Sequence, residues 1–154
     1  MGFDWTDRDQ QFMRAAISEA QSAADCREIP VGAVVVRDGN IVASGCNRSI
    51  MDHDPAGHAE IVALRAAGRD ASNYRLNDAT LFVTLEPCAM CVGAMLQARI
   101  RRLVFGAYDS KAGAAGSVLD LSCERQLNHR IEVNGGLLRE ECAKLLSDFF
   151  CLRR

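Results

Sequence analysis

Proline is scarce in this chain, three in 154 residues, and no Ser/Pro-rich, Gln-rich or repeated stretch marks a linker. A chain of this length supports one hydrophobic core and not two, so a single domain over residues 1–154 is expected. No apolar run approaches the roughly 18 residues a membrane helix needs, and no membrane partner is expected. The opening MGFDWTDRDQQF has no basic stretch leading into an apolar one. That argues against a secretory signal and makes a cytoplasmic location the expectation. An excess of positive charge is also missing: 18 Lys+Arg stand against 20 Asp+Glu, a net charge of −2. Any nucleic acid would therefore be held by a local patch and not by the molecule as a whole.

Cysteine is not scarce. The seven, at 26, 46, 88, 91, 123, 142 and 151, form an odd set, and no secretory signal is expected to go with them. Five of them read as reduced, buried small hydrophobes. Cys88 and Cys91 stand apart because of the spacing in Pro87-Cys88-Ala89-Met90-Cys91.

Thr6-Asp7-Arg8-Asp9 resembles a capping box, and Phe12, Ala16, Ala20 and Ala23 recur at helical spacing, predicting a helix to about Ala24. Residues 31–37 read as a strand, and Asp38-Gly39 as a hairpin turn into a second strand over 41–44. A polar loop over 47–57 precedes a helix from His58 to about Ala67, closed by Gly68. Residues 80–85 form a third strand, and Pro87 suits the first position of a helix running to Gln97. Strands over 102–105 and 130–133 are separated by enough chain for a parallel crossover, and a closing helix spans about 137–150. The pattern predicts an α/β fold, a three-layer α/β/α arrangement with a mixed five-stranded sheet covered on both faces.

Two motifs occupy similar places in this layout. His58-Ala59-Glu60 opens one helix and Pro87-Cys88-Ala89-Met90-Cys91 opens the next. Cysteines three apart share one helical face and can bite a single ion, and a helix N-terminus favours their thiolate form. Two thiolates and one imidazole suit zinc and leave a fourth position open for water. Glu60 is not needed as a ligand but is suited to moving protons beside such a site. Residues two apart point to nearly opposite sides of a regular helix, so His58 and Glu60 converge only if the helix starts irregularly. Two rivals stand beside this reading. One is a thioredoxin-like redox pair. The other is a closed structural Cys2His2 zinc that recruits His53, which leaves Glu60 without a role. The H-x-E spacing with a later P-C-x-x-C is the general signature of zinc deaminases.

Longer blocks narrow the resemblance. IPVGAVVV, HDPAGHAEIVALR, NYRLNDATLFVTLEPCAMCVGAM, RIRRLVFGAYDSKAGAAGS and LLSDFF resemble the bacterial tRNA-specific adenosine deaminases over nearly the whole chain, from about residue 12 onward. The zinc motifs alone are shared with cytidine, cytosine, guanine and riboflavin-pathway deaminases. The resemblance implies a cytidine deaminase-like fold, with His58, Cys88 and Cys91 holding zinc and Glu60 acting as proton shuttle. The reaction it implies is hydrolytic deamination of adenosine to inosine at the wobble position of a tRNA anticodon. It further implies a tRNA anticodon stem-loop as partner, a homodimer, and no organic cofactor.

The resemblance also assigns Asn47 to the substrate nucleoside, and Ile29, Pro30 and Ala59 to the pocket. It puts Asp109 near the RNA backbone, and Phe149, Phe150 and Arg153 on a C-terminal helix that meets loop nucleotides. The plain alternatives are a turn residue for Asn47, core packing for Ile29 and Pro30, and a solvated loop acid for Asp109. One of the two phenylalanines is expected to be core. Tyr108 departs from the commoner, charged family residue. Arg99, Arg101 and Arg102 could meet phosphate, although such a run before a strand is more often a solvated edge.

Overall fold

The computed structural model describes residues 2–153. Its elements run in the order α1 (Asp7–Asp25), β1 (Gly32–Arg37), β2 (Asn40–Cys46), α2 (Ala59–Ala71), β3 (Thr80–Leu85), α3 (Ala89–Gln97), β4 (Arg102–Ala107), β5 (Glu132–Gly135) and α4 (Arg139–Leu152). The predicted capping box is present: the Thr6 hydroxyl accepts from Asp9 N–H while the Asp9 carboxylate accepts from Thr6 N–H. Asp38 and Gly39 both have positive φ, 51° and 76°, the backbone a tight two-residue hairpin turn requires.

One five-stranded sheet has the order β2-β1-β3-β4-β5. β1 is antiparallel to both β2 and β3, while β3, β4 and β5 are parallel. The period of two along each strand separates the faces. Ala33, Val35, Leu81, Val83, Leu103 and Phe105 meet α2 and α3 in one core, and Val34, Val36, Phe82 and Val104 meet α1 and α4 in the other. The expected three layers are therefore present. Gly32 lets α1 lie directly on β1, since a Cβ there would stand 2.1 Å from the Ala16 carbonyl oxygen.

Several boundaries differ from expectation. β5 begins two residues later than predicted, where Glu132 to Gly135 register against Arg102 to Phe105. α2 runs through Gly68 and ends at Ser72, whose left-handed φ of 51° caps it without a glycine. Pro87 is not the first helical residue: it precedes the cap of α3, which is Cys88. Of the five cysteines expected to be buried, only Cys142 is. Cys46 is half-buried, and Cys26, Cys123 and Cys151 are exposed at the end of α1, in the loop before β5 and in the last turn of α4. Those places lie off the faces that meet the sheet.

Candidate active site and metal centre

β3 and β4 point their carboxyl ends the same way, and the chain leaves β3 through Glu86 and Pro87 directly into α3. The crevice beyond the carboxyl ends of parallel strands is where α/β sheets place their sites. Here two helices start beside that crevice. His58 is the N-cap of α2 (φ −76°, ψ 150°) and Cys88 the N-cap of α3 (φ −78°, ψ 175°), both extended and neither making a side-chain cap bond. Their side chains are thus free to turn toward each other. Because His58 lies outside the helix, the opposed directions of residues two apart in a regular helix do not apply. That is the irregular start His58 and Glu60 require.

The His58 Nδ1 atom stands 3.6 Å from Cys88 Sγ and 3.5 Å from Cys91 Sγ, and the two sulfurs are 3.8 Å apart. A tetrahedral zinc with Zn–S of about 2.3 Å and Zn–N of about 2.0–2.1 Å has S···S edges of about 3.8 Å and N···S edges of about 3.6 Å. The donor triangle fits that ion in chemistry and in size. Among the described residues this is the one group of three or more His, Cys, Asp or Glu side chains whose ligand atoms all lie within 4.8 Å of one another. His53 is not in it; it sits exposed in a turn with φ 49°. The closed Cys2His2 alternative therefore lacks its fourth ligand.

The electrostatics follow from the crowding. Hydrogen bonding with Cys91 and with the His58 imidazole holds the Cys88 thiol pKa down at about 4. Cys91, bonded to that thiolate and buried, is pushed well above the ordinary thiol range. Cys88 in turn raises the pKa of His58 against the opposing effect of burial. Glu60 is 4% exposed. Burial pushes its carboxyl pKa up, against weaker lowering by its own N–H, by Cys91 and by His58. It is not in the donor triangle. A carboxyl held near an open ligand set, but outside it, is placed to carry protons.

Around this centre the sequence-predicted residues divide. Asn47 Oδ1 accepts from the Ala59 N–H at 2.9 Å, so it fixes the first turn of α2 next to His58. Ala59 is fully buried, Pro30 is buried, and Ile29 is 38% exposed. Asp109 spends one carboxylate oxygen on the N–H groups of Lys111 and Ala112 in its own loop. Phe149 is half-buried and Phe150 exposed, and neither belongs to the two cores. The expectation that one of them is core fails because only Cys142 of α4 reaches the interior. Arg153 stacks 4.3 Å from the Phe149 ring and donates to the Arg27 carbonyl at 2.7 Å. This ties the end of α4 to the turn that leads into Ile29 and Pro30. Tyr108 is exposed, edge-on to Phe105 and under Arg139.

The arginine cluster lies elsewhere. Arg102 registers with Thr80 at the opposite end of β3 from Leu85, about 16 Å away for five strand residues. It is engaged by Asp9 and Asn134, while Arg99 donates to Asn128. A surface cavity of about 940 Å³ lies between α2 and α3, lined by Ile61, Leu64, Tyr74 and Gln97 among others, with none of the donor triad. Two buried acids went unnoticed in the sequence. Glu28 accepts from Met51 N–H at 2.7 Å, and Glu86 takes several donors from the loop after β4. For Glu86 the available signal was its place, an acid between an apolar strand and Pro-Cys.

Residues 6–107 match the family model of the cytidine and deoxycytidylate deaminase zinc-binding region. The tRNA-specific adenosine deaminase of Haemophilus influenzae is 52% identical over 147 residues, covering 95% of this chain and 85% of that protein. The enzyme of the same name from Bacillus subtilis is 42% identical over 143 residues, covering 93% and 89%. A solved structure from work on A-to-I editing by tRNA:A34 deaminases superposes with a TM-score of 0.86 at 43% identity, covering 88% of this chain and 99% of that one. A guanine deaminase from Nitrosomonas europaea superposes with a TM-score of 0.80 at 25% identity, covering 98% and 87%.

Proposed function

The chain belongs to the zinc-binding cytidine and deoxycytidylate deaminase family and, within it, to the tRNA-specific adenosine deaminases, and on that premise we propose that it deaminates adenosine to inosine at the wobble position of a tRNA anticodon. Water is consumed and ammonia released. The observation that carries the reading is the His58–Cys88–Cys91 triangle with buried Glu60 beside it and outside it.

In this reading His58, Cys88 and Cys91 hold zinc, and no organic cofactor takes part. Zinc in such a site lowers the pKa of water toward about 7 and so supplies a nucleophile at neutral pH. The protein's part is positioning and proton transfer. Glu60 takes a proton from water and hands it to ring N1 as C6 is attacked. It then takes the proton of the new C6 hydroxyl and delivers it to the exocyclic nitrogen as the C6–N bond breaks. A carboxyl pKa raised by burial brings its proton affinity closer to working pH, which suits a group that must both accept and donate. Asn47 keeps its Oδ1 on Ala59 N–H and offers its amide NH2 to the nucleoside.

The target base cannot react inside a stack, so it enters splayed out of the anticodon loop. Ile29, Pro30 and Ala59 form the pocket wall. Asp109 meets the RNA from the loop after β4, and Phe149 and Arg153 meet it from α4. The protein acts as a single domain over residues 1–154 and a homodimer. No helix among the described residues is long and apolar enough to cross a membrane, and the reading puts the protein with its tRNA substrate in the cytoplasm.

The likeness to a guanine deaminase supports a second reading, a free-base deaminase on the same fold. Incubation with an anticodon stem-loop bearing A at the wobble position, and separately with guanine, cytosine and adenosine, decides between them. Inosine in the RNA is expected. Turnover of the free compounds with none in the RNA would overturn the tRNA reading. Light scattering tests the dimer.

A further inference from the structure

Glu86 is 1% exposed, and none of the ion pairs among the described residues includes it. Acids are rarely buried so deeply without a cation. This one is satisfied by four donors, and all come from one loop. One carboxylate oxygen, Oε1, accepts from Asp109 N–H at 3.1 Å and from the Ser117 hydroxyl; the other, Oε2, accepts from the N–H groups of Ala115 and Ser117, both at 3.1 Å. The same junction is stitched by two backbone bonds, Glu86 N–H to the Ala107 carbonyl and Ala114 N–H to the Pro87 carbonyl, each 2.8 Å. Gly113 completes the seat: a Cβ there would stand 2.4 Å from Glu86 Cδ.

We propose that Glu86 is a positioning residue, a buried anionic template that sets the 109–117 loop, and Asp109 with it, against the Cys88 end of the site. The inference rests on the RNA reading for what the loop does, but not for how it is held. The carboxylate is required, not merely a side chain of its shape. Glutamine has one acceptor oxygen, so one of the two donor pairs must face its NH2. The pair at Ala115 and Ser117 N–H cannot reverse. At the other oxygen the Ser117 hydroxyl can turn to accept, which leaves the Asp109 N–H as the donor stranded. Glu86→Gln is therefore expected to free Asp109 selectively while sparing the zinc triangle.

The test is Glu86→Gln in the zinc-loaded protein, with hydrogen exchange and steady-state kinetics on the wobble-A stem-loop. Expected are zinc at the wild-type ratio, faster exchange confined to residues 109–117, and KM for the RNA raised roughly tenfold with kcat little changed, the scale of one lost charge-assisted hydrogen bond. In a cycle with Asp109→Ala, the double variant is expected to be no worse in KM than Asp109→Ala alone, because Glu86 acts through that residue. Unchanged exchange in 109–117 would overturn the template, whether or not RNA is the substrate. Additive KM effects would overturn its action through Asp109. Should Glu86→Gln fail to fold, Ser117→Ala, which removes the hydroxyl donor alone, must raise exchange in the same loop for the proposal to stand. If the wild-type protein leaves the stem-loop untouched, the RNA reading fails and the exchange result still decides the template.

Discussion

Replacing Glu60 by Gln separates proton transfer from metal binding. The amide has nearly the carboxyl's shape, so it occupies the same buried site, which is 4% exposed in the native chain. It cannot accept and release a proton. General acid–base contributions of about 10²- to 10⁴-fold then convert to a barrier increase of roughly 3–5 kcal/mol. Zinc should stay at the wild-type ratio, because the donor triangle closes without Glu60. Stability carries its own sign. Burial raises the Glu60 pKa, so above its unfolded value the ionised acid costs folding free energy, and a neutral amide removes that cost. At pH 7 the unfolding midpoint of Glu60→Gln is expected at or above that of the native protein.

Three measurements on one preparation check this: metal content, thermal unfolding, and single-turnover inosine formation in a wobble-A stem-loop. Activity within tenfold of wild type at full zinc occupancy would refute the role of Glu60. Loss of zinc in proportion to activity would refute the separation, and would place Glu60 among the ligands.

Chelation exposes the thiol chemistry. With its pKa near 4, Cys88 is ionised at pH 6, where ordinary thiols, at about 8.5, are almost wholly protonated. Iodoacetamide at pH 6 should label Cys88 of the chelated protein ahead of Cys91 and the exposed Cys26, and added zinc should protect it; mass spectrometry that finds Cys26 labelled as fast would overturn the assignment. At the far end of the sheet, burial raises the Asp9 carboxyl pKa, but Arg102 and the Thr6 bonds outweigh it and the net shift is downward. The stability this contributes is present above the unfolded pKa and lost as pH falls through the lower folded one, so Asp9→Asn should cost about 1.5–3 kcal/mol at pH 7 and progressively less in acid, read by urea unfolding. Two glycines predict opposite outcomes in the same assay. Gly93→Ala, with nothing within 4 Å of the added Cβ on α3, should stabilise by about 0.5–1 kcal/mol. Gly32→Ala, whose Cβ meets α1 backbone at 2.1 Å, should destabilise by about 3 kcal/mol or more.

What could be read before the structure follows from how local each cause is. The helix-strand order and the two-faced sheet depend on periodicity, and the alternation of Val34 and Val36 against Ala33 and Val35 carried both cores. The zinc donors were legible because metal chemistry narrows residue type and spacing together. Caps and ends were less so: α2 stops at Ser72 in a left-handed turn that no glycine announces, and β5 takes its register from β4, with Glu132 set opposite Arg102 across a long crossover. The arginine cluster could not be located, because only the parallel register puts Arg102 beside Thr80 and away from Leu85.

The acids show most clearly what sequence leaves open. Glu28, Glu60 and Glu86 are all nearly inaccessible to solvent, and nothing in their types tells them apart. Their partners do. Glu86 receives three N–H groups from one loop, those of Asp109, Ala115 and Ser117, and is consumed in holding that backbone, while Glu28 receives one, that of Met51. Glu60 faces its own N–H and the Cys91 sulfur, with no loop donor fixing its carboxyl. A carboxylate whose two oxygens are taken up by loop donors is committed to holding that loop. A carboxyl left with weak partners in a desolvated site can take up and surrender a proton without disturbing the fold. The loop donors that seat the Glu86 carboxylate are what distinguish it from Glu60, the acid proposed to carry protons.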